Sequence, residues 1–218
     1  VDTPLRPVDI GSAWPMLIAA TICALSGVAL WWHGRPAAGI TLRRREGTLA
    51  VVLIWLGTGV FGGLPYLLDT GMTPADAFFE SVSGFTTTGS TVVAHIEHPE
   101  NGLSRPILLW RSLTQWLGGM GIVVLFVAVF PNIGVGGKHL YRSEAPGPTG
   151  TGLRPRIAET SLFLWRLYGL FTAILFLLLW LQGVSLFESL CHAFTGMATG
   201  GFSTRDASIA AFDSVNVE

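Results

Sequence analysis

Four stretches of this chain, residues 13–32, 49–68, 112–137 and 167–187, each run for at least twenty positions without an Asp, Glu, Lys or Arg. An α-helix rises 1.5 Å per residue, so ~20 apolar residues cross the ~30 Å hydrocarbon core of a bilayer. In that solvent every backbone N–H and C=O must be satisfied within the protein, which restricts spanning segments to helices or closed barrels. Four runs of this length predict an all-α integral membrane protein. Composition agrees: half the residues are hydrophobic and only 12% are charged, against ~25% in soluble domains. A net charge of −1 with a pI near 6.6 sets nucleic acid aside, because nucleic-acid-binding domains usually have a pI above ~9. Cys23 and Cys191 lie in apolar stretches without CxxC spacing. They read as small core residues rather than disulfide or zinc partners.

Orientation follows from the basic residues. Arg35, Arg43, Arg44 and Arg45 fall between spans one and two, and Lys138, Arg142, Arg154 and Arg156 between spans three and four. Both loops are therefore expected on the cytoplasmic side. The segment between spans two and three carries Asp69, Asp76, Glu80, Glu97 and Glu100 against Arg105, as an outer face should. This alternation puts Val1 outside, so a further helix is expected to precede it in a longer protein. The linker Pro146-Gly147-Pro148-Thr149-Gly150-Thr151-Gly152 cannot hold a regular helix. Gly134 to Gly137 superficially suggests a phosphate loop, but neither GxGxxG nor GxxxxGK[ST] is completed.

The chain contains an internal repeat. Thr73-Pro74-Ala75-Asp76 and Ser185-Leu186-Phe187-Glu188 both read as helix starts, with a hydroxyl at the N-cap and a carboxylate at the third helical position. Superposing the caps at an offset of 112 (185 − 73) aligns Gly84 with Gly196, Thr87 with Thr199, Gly89 with Gly201 and Thr91 with Ser203. Each unit is a span, a short capped helix and a Gly/Thr loop. The helix beginning at Thr73 has room for about four turns, roughly 20 Å, enough to enter a bilayer but not to cross it. The loop must then turn back at mid-depth, where irregular backbone is tolerated only if buried in protein or lining a water-filled cavity. Thr/Gly backbone offers carbonyls and hydroxyls that replace the hydration shell of an alkali cation. Glycine permits φ > 0 and close approach to an axis, and helix C-termini add partial negative charge.

The runs from Asp76 through Phe85-Thr86-Thr87-Thr88-Gly89-Ser90-Thr91 to Val92, and Ala198-Thr199-Gly200-Gly201-Phe202-Ser203-Thr204, closely resemble the first two pore loops of the membrane subunit of bacterial Trk potassium-uptake systems. Gln115-Trp116-Leu117-Gly118-Gly119-Met120-Gly121-Ile122, the stretch from Leu140 to Pro148, and Pro155-Arg156-Ile157-Ala158-Glu159-Thr160 extend the resemblance over essentially the whole chain. It implies potassium-channel-like membrane-pore-membrane repeats with re-entrant pore helices, four around one pathway. It implies a homodimer in the cytoplasmic (inner) membrane, a cytosolic nucleotide-binding regulatory subunit, and K+ as transported ligand with no resident cofactor and no enzymatic activity. Carried onto this sequence, the filter is Thr87, Thr88, Gly89 and Ser90 in the first repeat and Thr199, Gly200, Gly201 and Phe202 in the second. The resemblance further implies that potassium is held at Thr87, Thr88, Gly89, Thr199, Gly200 and Gly201. The offset favours Gly201 over Gly200 as the second filter glycine, and Gly89 resembles the potassium-permeable rather than the sodium-preferring form. The corresponding division is a preceding helix at 1–34, a cytoplasmic loop at 35–48, a first repeat at 49–131, a linker at 132–160 and an incomplete second repeat at 161–218. The partial fold lacks repeats three and four, and the coupling ion is left open.

Other residues invite different chemistry. Arg111 and Arg166 stand beside or within apolar stretches, where a charge marks function unless it snorkels or pairs with a neighbouring helix. His95, Glu97 and His98 lack a third ligand at helical spacing for zinc. Asp76 and Glu80 are candidates for concentrating cations at an outer mouth. Gly59 with Gly63, and Gly118, Gly119 and Gly121, suit close helix packing. Ser81 and His192 superficially suggest a serine hydrolase, but GxSG is absent. A less selective Na+/K+-translocating relative and a non-transporting membrane scaffold are the remaining alternatives, and the scaffold has no need of duplicated Gly/Thr loops.

Overall fold

In a computed structural model, which describes residues 13–37, 44–97, 102–133 and 153–212, all regular structure is helical. The order is α1 (Trp14–Gly34), α2 (Arg44–Thr70), α3 (Pro74–Phe85), α4 (Arg105–Ile133), α5 (Leu153–Leu181) and α6 (Leu186–Met197), with short 3-10 turns at Arg35–Ala37 and Ser208–Phe212. Among the described residues three helices are long and apolar enough to cross a membrane: Trp14–Gly34, Arg45–Thr70 and Thr160–Leu181. The remaining expected span falls on α4, whose 29 residues extend for roughly 43 Å.

Helix boundaries depart from the uncharged runs for identifiable reasons. Helix α4 begins at Arg105, seven residues before the run at 112, because Arg111 is neutralised inside the protein rather than exposed to lipid. Helix α5 begins at Leu153 and stops at Leu181, so Phe187 belongs to α6. Gly183, at φ 92°, turns the chain there: the amide of Val184 donates to Leu179 O and that of Gly183 to Trp180 O, a Schellman closure. The stretches 134–137 and 146–152 lie outside the described residues.

The two short helices are capped as the sequence demands. Thr73 Oγ1 accepts the Asp76 amide at 3.2 Å, and Ser185 Oγ accepts the Glu188 amide at 3.3 Å. Each hydroxyl in turn donates to the carboxylate of the same residue at 2.7 Å. Helix α3 packs on α2, α6 packs on α5, and α4 lies against both α3 and α6. Glycines permit these contacts. A Cβ on Gly59 would strike Phe78 and Val82, and one on Gly63 would press on the Ala77 backbone. On α4, Gly118 lies directly against the backbone of Phe85 and Gly119 against Ala198, so adjacent glycines seat the C-terminal ends of both short helices.

Side-chain ties hold α4 in this place. Trp110 Nε1 donates to Gly62 O of α2 at 2.9 Å, and Trp116 Nε1 donates to Thr172 Oγ1 of α5 at 3.0 Å. The Trp116 ring also meets Trp165, Tyr168 and Phe194, with centroids 5.3–5.6 Å apart. Helix α1 packs on α2 but leaves Leu17, Leu25, Leu30, Trp31 and Trp32 exposed, a surface suited to hydrocarbon. At its end the Arg35 guanidinium lies 3.7 Å above the Trp31 ring, a cation–π contact. Cys23, expected in the core, is exposed on this helix, whereas Cys191 is buried. Apolar residues of a spanning helix need not seek the protein interior when the surrounding solvent is itself apolar.

Candidate functional site

Helices α3 and α6 end in the same way. The amides of Thr87 and Thr88 donate to Gly84 O and Ser83 O at 2.9 and 3.0 Å; those of Thr199 and Gly200 donate to Gly196 O and Thr195 O, both at 3.0 Å. These are paired Schellman closures 112 positions apart, and such closures place the next residue in the left-handed region, normally as glycine. Here that residue is threonine: Thr87 has φ 56° and Thr199 φ 53°. A β-branched residue in this region is strained. Two positions on, Gly89 at φ 77° and Gly201 at φ 83° repeat the turn with the residue that tolerates it.

The two loops meet. A Cβ on Gly89 would collide with the carbonyl oxygen of Gly200, and a Cβ on Gly200 would collide with the Gln115 amide. A Cβ on Gly201 would meet nothing within 4 Å; Gly201 borders an open cavity of about 290 Å³ that is also lined by His192, Thr195, Thr199 and Phe212. No hydrogen bond among the described residues uses the carbonyl oxygens of Thr87, Thr88, Gly89, Thr199, Gly200 or Gly201. These backbone acceptors are unspent, and they lie where the C-terminal ends of two helices converge. Ser90 and Phe202 differ from the other six expected residues. Ser90 O accepts from Ser83 Oγ at 2.6 Å, while Phe202 buries its ring and donates its amide to Gln115 Oε1 at 3.1 Å.

One face of α4 supports both loops. Arg111, Thr114, Gln115 and Gly118 stand at i, i+3, i+4 and i+7, and all four are buried. Arg111 donates through Nε to Glu80 Oε1 at 2.9 Å and pairs with it through Nη2 at 2.8 Å, with both side chains no more than 1% exposed. Glu80 also accepts from Thr91 Oγ1 at 2.8 Å and the Val92 amide at 3.1 Å. Arg111 reaches Ser203 O at 3.3 Å and stacks 4.1 Å over the Phe202 ring. The pair thus clamps the chain just after Gly89 to the chain just after Gly201. Glu80, expected at an outer mouth, is buried and neutralised there, which removes it as a cation collector. Arg166 is exposed on α5.

A second network joins the continuations of the two loops. Arg205 pairs with Glu97 and Glu188, each at 2.6 Å, and Asp206 accepts the Ile96 amide at 2.6 Å while donating its own amide to Glu97 at 3.1 Å. Burial works against the Arg205 charge, but hydrogen bonds to Glu188 and Glu97 outweigh it and hold its pKa above the ordinary value. Glu97 is therefore committed to protein partners, and His98 lies outside the described residues. Among the described residues no group of three or more His, Cys, Asp or Glu is arranged to hold a metal ion. Ser81 donates to Thr58 O and His192 lies 3.3 Å from Thr204 Oγ1, so these two do not form a nucleophile and base. Pairing with a neighbouring helix, one of the two readings open for Arg111, is what the structure shows; the sequence reading missed the contact made by Gln115. The signal available was the helical spacing of these two residues on one polar stripe within an apolar helix.

The TrkH family, described as cation transport protein, matches residues 15–218. The chain belongs to the TrkH family. It is 47% identical over 194 residues to the Trk system potassium uptake protein TrkH of Escherichia coli K12, covering 88% of this chain and 39% of that protein. It is 44% identical over 208 residues to TrkH of Halomonas elongata, covering 94% and 42% respectively. The crystal structure of the potassium transporter TrkH from Vibrio parahaemolyticus superimposes with a TM-score of 0.80 at 37% identity, covering 95% of this chain and 40% of that one. This TrkH-family chain is an all-helical membrane protein, and it spans about two fifths of the length of these relatives.

Proposed function

We propose that this chain contributes two of the re-entrant loops that line a potassium pathway through the cytoplasmic membrane. The oxygens coordinating the ion are backbone carbonyls of Thr87, Thr88, Gly89, Thr199, Gly200 and Gly201. The observation that carries this reading is the pairing of two strained helix ends, at Thr87 and Thr199, with unspent carbonyls directly beyond each. A dehydrated alkali cation needs closely spaced neutral oxygens and gains from the negative ends of helices. Ser90 and Phe202 bound the coordinating stretch and anchor it to the scaffold. The names of the relatives support potassium as the ion. In this reading the remaining carbonyls come from further repeats, and the assembly is a homodimer served by a cytosolic nucleotide-binding subunit.

The test is complementation. The complete gene product that carries this chain, expressed in a bacterial strain without its own potassium uptake, should restore growth at limiting potassium and accumulate 86Rb+. Normal membrane insertion without rubidium uptake would end this reading.

A further inference from the structure

The two loops are anchored at the same position by different means. At the offset of 112, Ser90 corresponds to Phe202 and Ser83 to Thr195. In the first loop Ser83 Oγ donates to Ser90 O at 2.6 Å. The corresponding Thr195 hydroxyl instead turns back to His192 O at 3.4 Å, and the second loop is held from outside its own repeat: Gln115 Oε1 accepts the Phe202 amide at 3.1 Å.

Gln115 is fully buried on α4. Accepting from a backbone N–H fixes which end of its amide is oxygen, since an NH2 group there would set donor against donor. Its Nε2 is thereby turned to the other side, where it has no hydrogen-bond partner among the described residues. An unmade buried hydrogen bond is costly, so a group kept in that state has a use that an apolar side chain would not serve. Its surroundings indicate the use. A Cβ on Gly200 would collide with Cδ, Oε1 and Nε2 of Gln115, and a Cβ on Gly89 would lie 3.6 Å from Nε2. The amide occupies the space between Phe202, Gly200 and Gly89.

Building on the carbonyl-lined pathway proposed above, we infer that Gln115 is a positioning residue that sets cation discrimination, its amide fixing the spacing of the Gly200–Phe202 segment from Gly89. It lines no part of the coordinating surface itself. It acts through the Phe202 amide, which carries Gly201 with it, and through the glycine contact that brings Gly200 O against Gly89.

The experiment compares 86Rb+ and 22Na+ uptake at equal membrane abundance in the complete gene product. Gln115→Leu keeps the side-chain size but removes the acceptor, and should lower the rubidium-to-sodium ratio about tenfold. Gln115→Asn keeps the amide but draws it one methylene back from Phe202, and should lower the ratio in the same direction. Gln115→Glu restores the acceptor and should bring the ratio back to within about twofold of wild type; rescue of this kind is outside what simple packing at position 115 provides. Leu117→Ala, two residues further along α4 at an exposed position, should leave the ratio unchanged. An unaltered ratio in both Gln115→Leu and Gln115→Asn overturns the inference while leaving the potassium reading intact, and so does a Gln115→Glu variant as unselective as Gln115→Leu. If Gln115→Leu fails to accumulate, Gln115→Asn carries the same decision. A wild type that moves no rubidium removes the reading of the loops and this inference with it.

Discussion

Thr87 and Thr199 share one backbone conformation, φ 56° and 53°, at the C-terminal ends of two helices that lie 112 positions apart in the chain. Neither side-chain hydroxyl makes a hydrogen bond among the described residues. The strain is therefore not offset locally by the threonine itself. At the end of α5, where no loop carbonyls converge, the same closure uses Gly183. That contrast associates the strained threonines with the loops whose carbonyls adjoin them.

Replacing Thr87 or Thr199 by glycine should accordingly raise stability while harming transport. A non-glycine residue in this region costs of order 1–3 kcal/mol, and glycine returns about 0.5–1 kcal/mol of that as chain entropy. The expected net gain is about 1 kcal/mol per site, read as a higher thermal midpoint in detergent. Rubidium uptake should fall several-fold in the same variants. A lower midpoint with undiminished uptake would contradict both halves of the argument.

Gly89 and Gly201 separate packing from conformation. Both have positive φ, but only Gly89 has a neighbour, the Gly200 carbonyl, in the space a side chain would fill. Gly89→Ala should therefore combine a backbone cost of about 1–2 kcal/mol with an overpacking cost of about 1–3 kcal/mol. Gly201→Ala should incur the first alone. Gly89→Ser and Gly201→Ser should both reduce potassium-over-sodium discrimination by about tenfold, equivalent to ~1.4 kcal/mol. Equal destabilisation by the two alanine variants would count against the loop contact, and an unchanged uptake ratio against the carbonyl reading.

What the sequence made legible was whatever depends on near neighbours or on the surrounding solvent. Hydrocarbon forces long uncharged helices, so the spans at α1, α2 and α5 are visible as runs. An N-cap and its carboxylate lie three residues apart, so Thr73 with Asp76 and Ser185 with Glu188 are visible as well. Partners distant in the chain are not. Arg111 meets Glu80 at a separation of 31 and Gln115 meets Phe202 at 87; their helical spacing marks one polar stripe, but no local pattern names either partner. Counting charge therefore started the third span one residue after Arg111, although a neutralised arginine lies within the helix. The same blindness made Glu80 look like a surface carboxylate.

Topology offers an independent check on the proposed orientation. Gly47 lies near the start of α2, with open space where a Cβ would be, and Gln182 is exposed just beyond α5. With Cys23 and Cys191 replaced by alanine, Gly47→Cys should react with a membrane-impermeant maleimide only in inverted vesicles. Gln182→Cys should react only in intact cells. The basis is the Lys/Arg excess on the loops between spans one and two and between spans three and four, and labelling of both from one side would overturn it.

The Glu80–Arg111 pair makes the strongest demand on the fold. Removing one member of a buried ion pair leaves the other charge without compensation, at about 3–5 kcal/mol, whereas replacing both by apolar or neutral groups of similar size is often nearly neutral. Here the single losses are compounded by other bonds: Glu80 holds the Thr91 hydroxyl and the Val92 amide, and Arg111 holds Ser203 O. Glu80→Gln and Arg111→Met should each sharply lower the thermal midpoint and the amount reaching the membrane. The double variant should recover most of the stability, because the introduced carboxamide still offers an oxygen to the Val92 amide and no bare charge remains. It should not recover selectivity in full, since a thioether in place of the guanidinium cannot tie Ser203 to the first loop. A double-mutant cycle on the midpoint, with the uptake ratio measured on the same membranes, distinguishes these roles. Additive destabilisation would mean that the two residues are not energetically coupled, and a fully selective double variant would mean that the pair stabilises the fold without aligning the loops.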